Sequence, residues 1–369
     1  MKLFYGVQGT GNGHISRARA MNTHLQAANV DVQYLFSGRA REDYFDMTPF
    51  GDWECRRGLS FVSHEGCLRP LATMRQNNFT QLFRDIRELD LSSYDLVICD
   101  FEPITAWAAK QQGIPCISVG HQYAFLYDVP TQGDSWLSKK ILQHFAPGHQ
   151  QLGLHWHHFG QPILPPIIDL SITPPEDTAD QVLVYLGFES PDAVIPLLKQ
   201  FPDTQFVYYG KFKAPQEEDN ISLRPLSVTG FKEDLYRSSG VICNAGFELA
   251  SEALHLGKRL LVKPLHGQME QLSNGLALEE LDLGSCMQQL SADSIRKWLD
   301  SPAAPHCQYP DVAKAIVEWL TNPQRESVEA LSSRLWKETR ITGRNNNSPR
   351  HKVSSTEANN TGSPLPAAL

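Results

Sequence analysis

The sequence predicts an α/β protein of two successive domains, each a parallel sheet covered by helices on both faces. Apolar strand patterns alternate with helical patterns through the first third of the chain, and again after residue 180. A proline-rich stretch separates the two runs, and 369 residues exceed what one hydrophobic core usually absorbs.

In the first run, residues 3–7 (LFYGV) read as a strand and 15–28 as a helix. Residues 31–36 (DVQYLF), 94–99 (YDLVIC) and 115–120 (PCISVG) read as further strands. Between the last two, ITAWAAKQQG has a helical pattern whose Gly113 suits a C-cap. The pattern stops at residues 154–180, where Pro162, Pro165, Pro166, Pro174 and Pro175 disfavour helix and central strand alike. It resumes with strands at 181–187, 204–210, 240–246 and 258–264. Domains are therefore expected at residues 1–160 and 161–338. Residues 339–369, rich in Asn, Ser, Thr and Pro, read as a disordered tail.

Composition narrows the function. With 41% hydrophobic and 20% charged residues and a net charge of −8, the chain is that of an ordinary globular protein. An acidic balance disfavours nonspecific nucleic-acid binding, which needs a basic surface to displace counterions. The seven cysteines are odd in number and scattered, and three lie inside apolar runs, so a reducing cytoplasm is the expected compartment. The N-terminus opens directly on a strand and a glycine turn, so no signal peptide is expected. No apolar run approaches the roughly 20 residues of a membrane span.

Two places carry chemistry. The first strand runs into Gln8-Gly9-Thr10-Gly11-Asn12-Gly13-His14 and then a helix. Glycines let the backbone turn sharply and approach a ligand, and the helix start offers free N–H groups to an anion. A dinucleotide fingerprint needs G-x-G-x-x-G and an acidic residue after the second strand. Here the spacing is G-x-G-x-G and that strand ends in Phe36-Ser37-Gly38-Arg39. His14 shares a helical stripe with Ala18, Met21 and Leu25, which places it at the carboxyl end of the sheet. It reads there as a general base or as a hydrogen-bonded structural histidine.

The second place is residues 241–281, VICNAGFELASEALHLGKRLLVKPLHGQMEQLSNGLALEEL. A strand ends at Asn244-Ala245-Gly246 and a helix starts, forming a seat for phosphate. On that helix Leu249, Ala250, Ala253, Leu254 and Leu256 share one face, with Glu248, Glu252 and His255 opposite. By periodicity alone the charged face reads as solvated.

This segment resembles the donor motif of the GT-B glycosyltransferases. The resemblance is to the branch containing the peptidoglycan N-acetylglucosaminyltransferase, and to a prokaryotic group opening on G-x-G-x-GH. Asn244, Gly246, Glu252, Pro264, Glu270-Gln271 and Asn274-Gly275 follow the motif in order and spacing. The resemblance implies two Rossmann-like domains facing a cleft. It also implies metal-independent transfer from a nucleotide diphosphate sugar, a UDP-sugar above all, to an acceptor hydroxyl. Under it, Glu252 holds the ribose, Gly246 with Ala245 and Phe247 at the helix start takes the diphosphate, and Glu270 and Gln271 read the sugar. A backbone near Phe231 pairs with the base, and Gly187 and Ser190 stand in the phosphate loop. Gly11 and Gly13 complete the donor-facing turn, and His14 is the base.

Two departures are visible. Asn244 stands where the family often has a cationic phosphate ligand, and the loop GFES is poor in glycine. On the acceptor side, His64 and Glu65, Asp100 and Glu102, and His121 follow or interrupt strands, as cleft residues or as turns and caps. The acceptor class expected by analogy is a glycan, a lipid-linked or a small molecule, with peripheral membrane contact as one option. No metal and no cofactor are expected, since no convincing D-x-D is present. His155-Trp156-His157-His158 reads as a strand with alternating faces rather than a metal site. The rival functions are a nucleotide-sugar epimerase or hydrolase, a non-catalytic sugar-nucleotide binder, and a flavin- or NAD(P)-dependent enzyme, for which the acidic ribose ligand is missing and Arg39 could instead accept a phosphate.

Overall fold

A computed structural model describes residues 1–134, 136–169, 180–302 and 304–343. The expected linker prolines Pro174 and Pro175 and the tail beyond residue 343 lie outside the described residues. In the first half the elements run β1 (Lys2–Gln8), α1 (Asn12–Ala27), β2 (Asp31–Ser37), β3 (Glu54–Arg56) and a short hairpin, β4 (Ser63–His64) with β5 (Cys67–Leu68). They continue with α2 (Pro70–Gln76), α3 (Phe79–Glu88), β6 (Leu96–Asp100), α4 (Pro103–Gln112), β7 (Cys116–Gly120), α5 (Trp136–Phe145) and β8 (Gln150–Gly153).

The second half repeats the plan, with β9 (Gln181–Tyr185), α6 (Pro191–Leu198), β10 (Gln205–Gly210), β11 (Gln216–Glu218), β12 (Ile221–Pro225) and α7 (Val228–Arg237). Then come β13 (Gly240–Asn244), α8 (Phe247–His255), β14 (Arg259–Lys263), α9 (Met269–Glu280), β15 (Ser285–Cys286) and α10 (Ala292–Leu299). The chain closes with β16 (His306–Gln308), α11 (Val312–Thr321), α12 (Val328–Glu338) and β17 (Arg340–Thr342).

The first sheet has the order β3-β2-β1-β6-β7-β8 with every pairing parallel. The second has β12-β10-β9-β13-β14-β15 in parallel, plus an antiparallel edge strand β11. In both, the order reverses beside the first strand, so a crevice opens outside the carboxyl ends of β1/β6 and of β9/β13. The strands are buried on both faces, and so read as unbroken apolar runs. Leu3, Tyr5 and Val7 enter one core while Phe4 enters the other. Gly113 caps α4 in the left-handed conformation, at φ 67°.

The two halves touch at several points. α11 lies against α1, and the Gln132 N–H donates to Ser273 Oγ of α9 at 3.0 Å. Two local expectations need correction. Residues 155–158 form no strand. The Nδ1 atoms of His155, His157 and His158 accept from the backbone N–H of Trp156, Phe159 and Gly160, and these local bonds fold the segment into bends. Nor is the start of the tail disordered. Arg340–Thr342 pairs antiparallel with His306–Gln308, and Ile341 packs on the core.

Candidate functional site

The N-terminal glycine turn spans residues 9–11, between β1 and α1. A Cβ on Gly9 would strike the Tyr44 hydroxyl, and one on Gly13 would come within 2.8 Å of Glu248 Cγ in the other half. Gly11 faces open space. Helix α1 presents His14 and Arg17, three residues apart on one face, to Asp100 at the end of β6. His14 Nδ1 lies 2.7 Å from Asp100 Oδ1. An ionised carboxylate only accepts, so in the tautomer that bonds Asp100 the proton sits on Nδ1 and the Nε2 lone pair is left free; Arg17 Nη2 lies 3.0 Å from the same Nδ1. Arg17 grips the same carboxylate with two bonds, Nε to Oδ2 and Nη2 to Oδ1, both 2.7 Å. Its third nitrogen, Nη1, donates to Glu248 Oε1 on α8.

Burial sets the charges. Asp100 is fully buried, which would raise its pKa, but Arg17 and His14 hold it below the usual carboxylate value. Burial pushes Glu248 up to about 8. Arg17 opposes this, while Asp100, Glu252 and Glu270 reinforce it. The expected solvation of the charged face of α8 is therefore wrong. Glu248 and Glu252 are buried because that face packs on α1. A carboxyl whose pKa is raised on folding binds more protons when folded. Its stabilisation is complete below the unfolded pKa of about 4.5 and is lost as pH rises through 8. Wild type should thus lose stability between about pH 5 and 8, and Glu248→Gln should flatten that slope. Urea midpoints across this range test it, and parallel slopes in the two proteins reject it.

On the donor side, Asn244 and Gly246 close a tight turn through Gly246 N–H to the Asn244 carbonyl at 2.7 Å, and α8 starts at Phe247 with Gly246 as N-cap. Glu252 accepts from Ser16 Oγ at 3.2 Å and lies 4.0 Å from Lys232 Nζ, which itself pairs with Asp169 at 2.5 Å. Asp169, Lys232 and Glu252 line a small cavity with Tyr236 and His255. Phe231, on α7, packs its ring edge-on against Tyr185 and Tyr209. Gly187 lies in the loop after β9, and Ser190 caps α6 by accepting from Asp192 N–H. Asn12 donates across the cleft to the Tyr185 hydroxyl at 3.2 Å.

The remaining predicted residues divide by role. Glu270 faces the first domain, accepting from Gln122 Nε2 at 3.2 Å, whereas Gln271 accepts from the Leu265 N–H and fixes the turn after β14. His121 stacks on Phe247 at 3.9 Å between ring centroids. Its Nδ1 lies 2.8 Å from the Leu154 carbonyl and its Nε2 2.6 Å from Asn274 Oδ1. Glu102 is a buried helix cap, accepting from the Ile104 and Thr105 N–H groups and from Ser37 Oγ. His64 and Glu65 are exposed at the tip of the β4–β5 hairpin, which reaches the second domain. Sequence reasoning missed Arg17, Lys232 and the Lys263–Glu189 pair. Of these, Arg17 left a signal, being one helical turn beyond His14 on the same face.

The model of one protein family, described as Glycosyl transferase family 1, matches residues 1–302. No curated protein matches the chain. Among solved structures, the spinosyn rhamnosyltransferase SpnG complexed with thymidine diphosphate is similar at 13% identity and TM-score 0.56, covering 91% of this chain and 96% of that one. The glycotransferase of kitacinnamycin is similar at 16% identity and TM-score 0.54, over 91% and 94% of the two chains. SnogD, a glycosyltransferase from Streptomyces nogalater, is similar at 17% identity and TM-score 0.51, over 91% and 96%.

Proposed function

The chain belongs to glycosyl transferase family 1 and is a glycosyltransferase of the GT-B fold, and from that premise we propose that it transfers a sugar from a nucleoside diphosphate donor to an acceptor hydroxyl without a metal. The observation that carries the reading is the His14–Asp100 pair on one domain, set against the N-terminal end of α8 on the other. His14 Nε2 takes the proton of the acceptor hydroxyl, and the oxygen attacks the anomeric carbon. The bond from that carbon to the diphosphate breaks, and the nucleoside diphosphate leaves with the electron pair. The charge it gains is met by the free N–H groups and dipole at the start of α8, beginning at Gly246.

Glu252 is assigned to the ribose hydroxyls and the backbone near Phe231 to the base. Glu270 is assigned to the sugar. The family resemblance favours uridine diphosphate as the carrier, and the SpnG complex with thymidine diphosphate makes thymidine its rival. SpnG has also been solved with spinosyn aglycone, which favours a small-molecule acceptor. Calorimetric titration with UDP-, dTDP-, GDP- and CMP-sugars, in EDTA and again in magnesium, tests the proposal. One nucleoside diphosphate sugar should bind with about equal affinity in both buffers. Binding that strictly requires magnesium would overturn the metal-free reading.

A further inference from the structure

Resting on the donor reading above, we propose that Lys263 is the cation that holds the donor diphosphate, supplying the positive charge that Asn244 does not. Strands β13 and β14 run parallel with Asn244 opposite Lys263, so the two side chains leave the carboxyl edge together, beside the start of α8. Asn244 joins the neighbouring pieces. Its Nδ2 donates to the Lys263 carbonyl at 3.1 Å, and its Oδ1 accepts from the Phe188 N–H at 3.3 Å. Phe188 belongs to the loop after β9, and the next residue, Glu189, receives Lys263 Nζ at 2.7 Å. Asn244 thus ties together the strand ends and the loop after β9, and that loop sets Glu189 on the ammonium group.

The pair is held under cover. Lys263 and Glu189 side chains are only 4% and 7% exposed. Above them lies Gly66 of the β4–β5 hairpin, at φ +68°, where a Cβ would stand 2.5 Å from Nζ and 2.7 Å from Glu189 Oε1. The hairpin is tied down by Gly66 N–H to the Phe188 carbonyl at 2.9 Å and by His266 N–H to the Gly66 carbonyl at 2.8 Å. An ion pair at a buried strand end gives little stability over an apolar pair, because desolvating both charges offsets their attraction. Its chemical use is as an exchangeable one. A diphosphate carries more negative charge than one carboxylate, and a helix terminus alone offers about half a positive charge. The ammonium group exchanges Glu189 for the diphosphate when the donor enters, and Glu189 is its counter-ion in the empty state.

The test is calorimetry in EDTA with uridine, UDP, thymidine and dTDP on wild type, Lys263→Gln, Lys263→Arg and Glu189→Gln, with melting curves for each. Lys263→Gln should weaken the preferred nucleoside diphosphate about ten- to a hundredfold, the scale of a hydrogen bond to a charged group, and leave its nucleoside unchanged. Lys263→Arg should restore most of the affinity. Glu189→Gln should tighten the nucleoside diphosphate severalfold, because the competing carboxylate is gone. If Lys263→Gln does not fold, Glu189→Gln decides alone, with unchanged or weaker binding overturning the proposal. Equal diphosphate affinity in wild type and Lys263→Gln overturns it while the donor reading stands, as does an equal loss for nucleoside and diphosphate. A folded wild type that binds none of the four, and no GDP-sugar either, overturns both.

Discussion

Replacing Arg17 by alanine is expected to destabilise the protein by about 3–5 kcal/mol, the usual result of breaking a buried ion pair from one side. Arg17 is 2% exposed, and its guanidinium satisfies both oxygens of Asp100 and one of Glu248. Without it, the Asp100 carboxylate faces the Glu248 carboxyl in a site that water barely reaches, and only His14 remains to Asp100. The loss should exceed that of any exposed pair, such as Arg296–Asp293, where about 0–1 kcal/mol is the ordinary range. Urea denaturation of wild type, Arg17→Ala and Arg17→Lys measures it. The lysine variant should fall between, because one ammonium cannot reproduce the two-bond grip on Asp100. A midpoint for Arg17→Ala within error of wild type would mean that the network carries no stability. Replacing Arg17, Asp100 and Glu248 together by Met, Leu and Leu should recover much of the loss, since no charge is then left unpaired.

What the sequence revealed and concealed follows the same physics. The central strands were legible because burial on both faces makes them continuous apolar runs. Glu54–Arg56 and Gln150–Gly153 escaped because short edge strands of polar residues leave no such run. On α8 the periodicity correctly grouped Glu248 with Glu252, but it could not show that α1 covers that face. A helix reports which residues share a side, and not what the side touches. His14 and Asp100 were each legible as cleft residues, yet they pair across 86 positions of sequence, through the placement of β1 beside β6. Lys263 was invisible for a related reason. It ends the apolar run RLLVK, where a lysine reads as a stem with its charge in water, whereas the hairpin bearing Gly66 closes over it.

The largest effect on rate is expected at His14. Its Nδ1 lies 2.7 Å from Asp100, its ring is 13% exposed, and in the tautomer that donates to Asp100, Nε2 is the atom left to receive a proton. General-base assistance contributes about a hundredfold to ten-thousandfold, so His14→Ala should lower turnover by at least a hundredfold. Donor affinity should stay nearly intact, because the groups assigned to the nucleotide belong to the second domain. Asp100→Asn gives an independent arm. An amide can donate to Nδ1 and so stabilise the wrong tautomer, with the proton on Nε2, and turnover should fall although the ring stays in place. Slow donor hydrolysis can serve as the readout until an acceptor is in hand, with donor affinity and melting temperature measured on the same samples. Equal turnover in wild type and His14→Ala would remove His14 from the chemistry. A variant that loses donor binding and stability together would make it a structural histidine, an anchor for Asp100 and Arg17 at the domain interface.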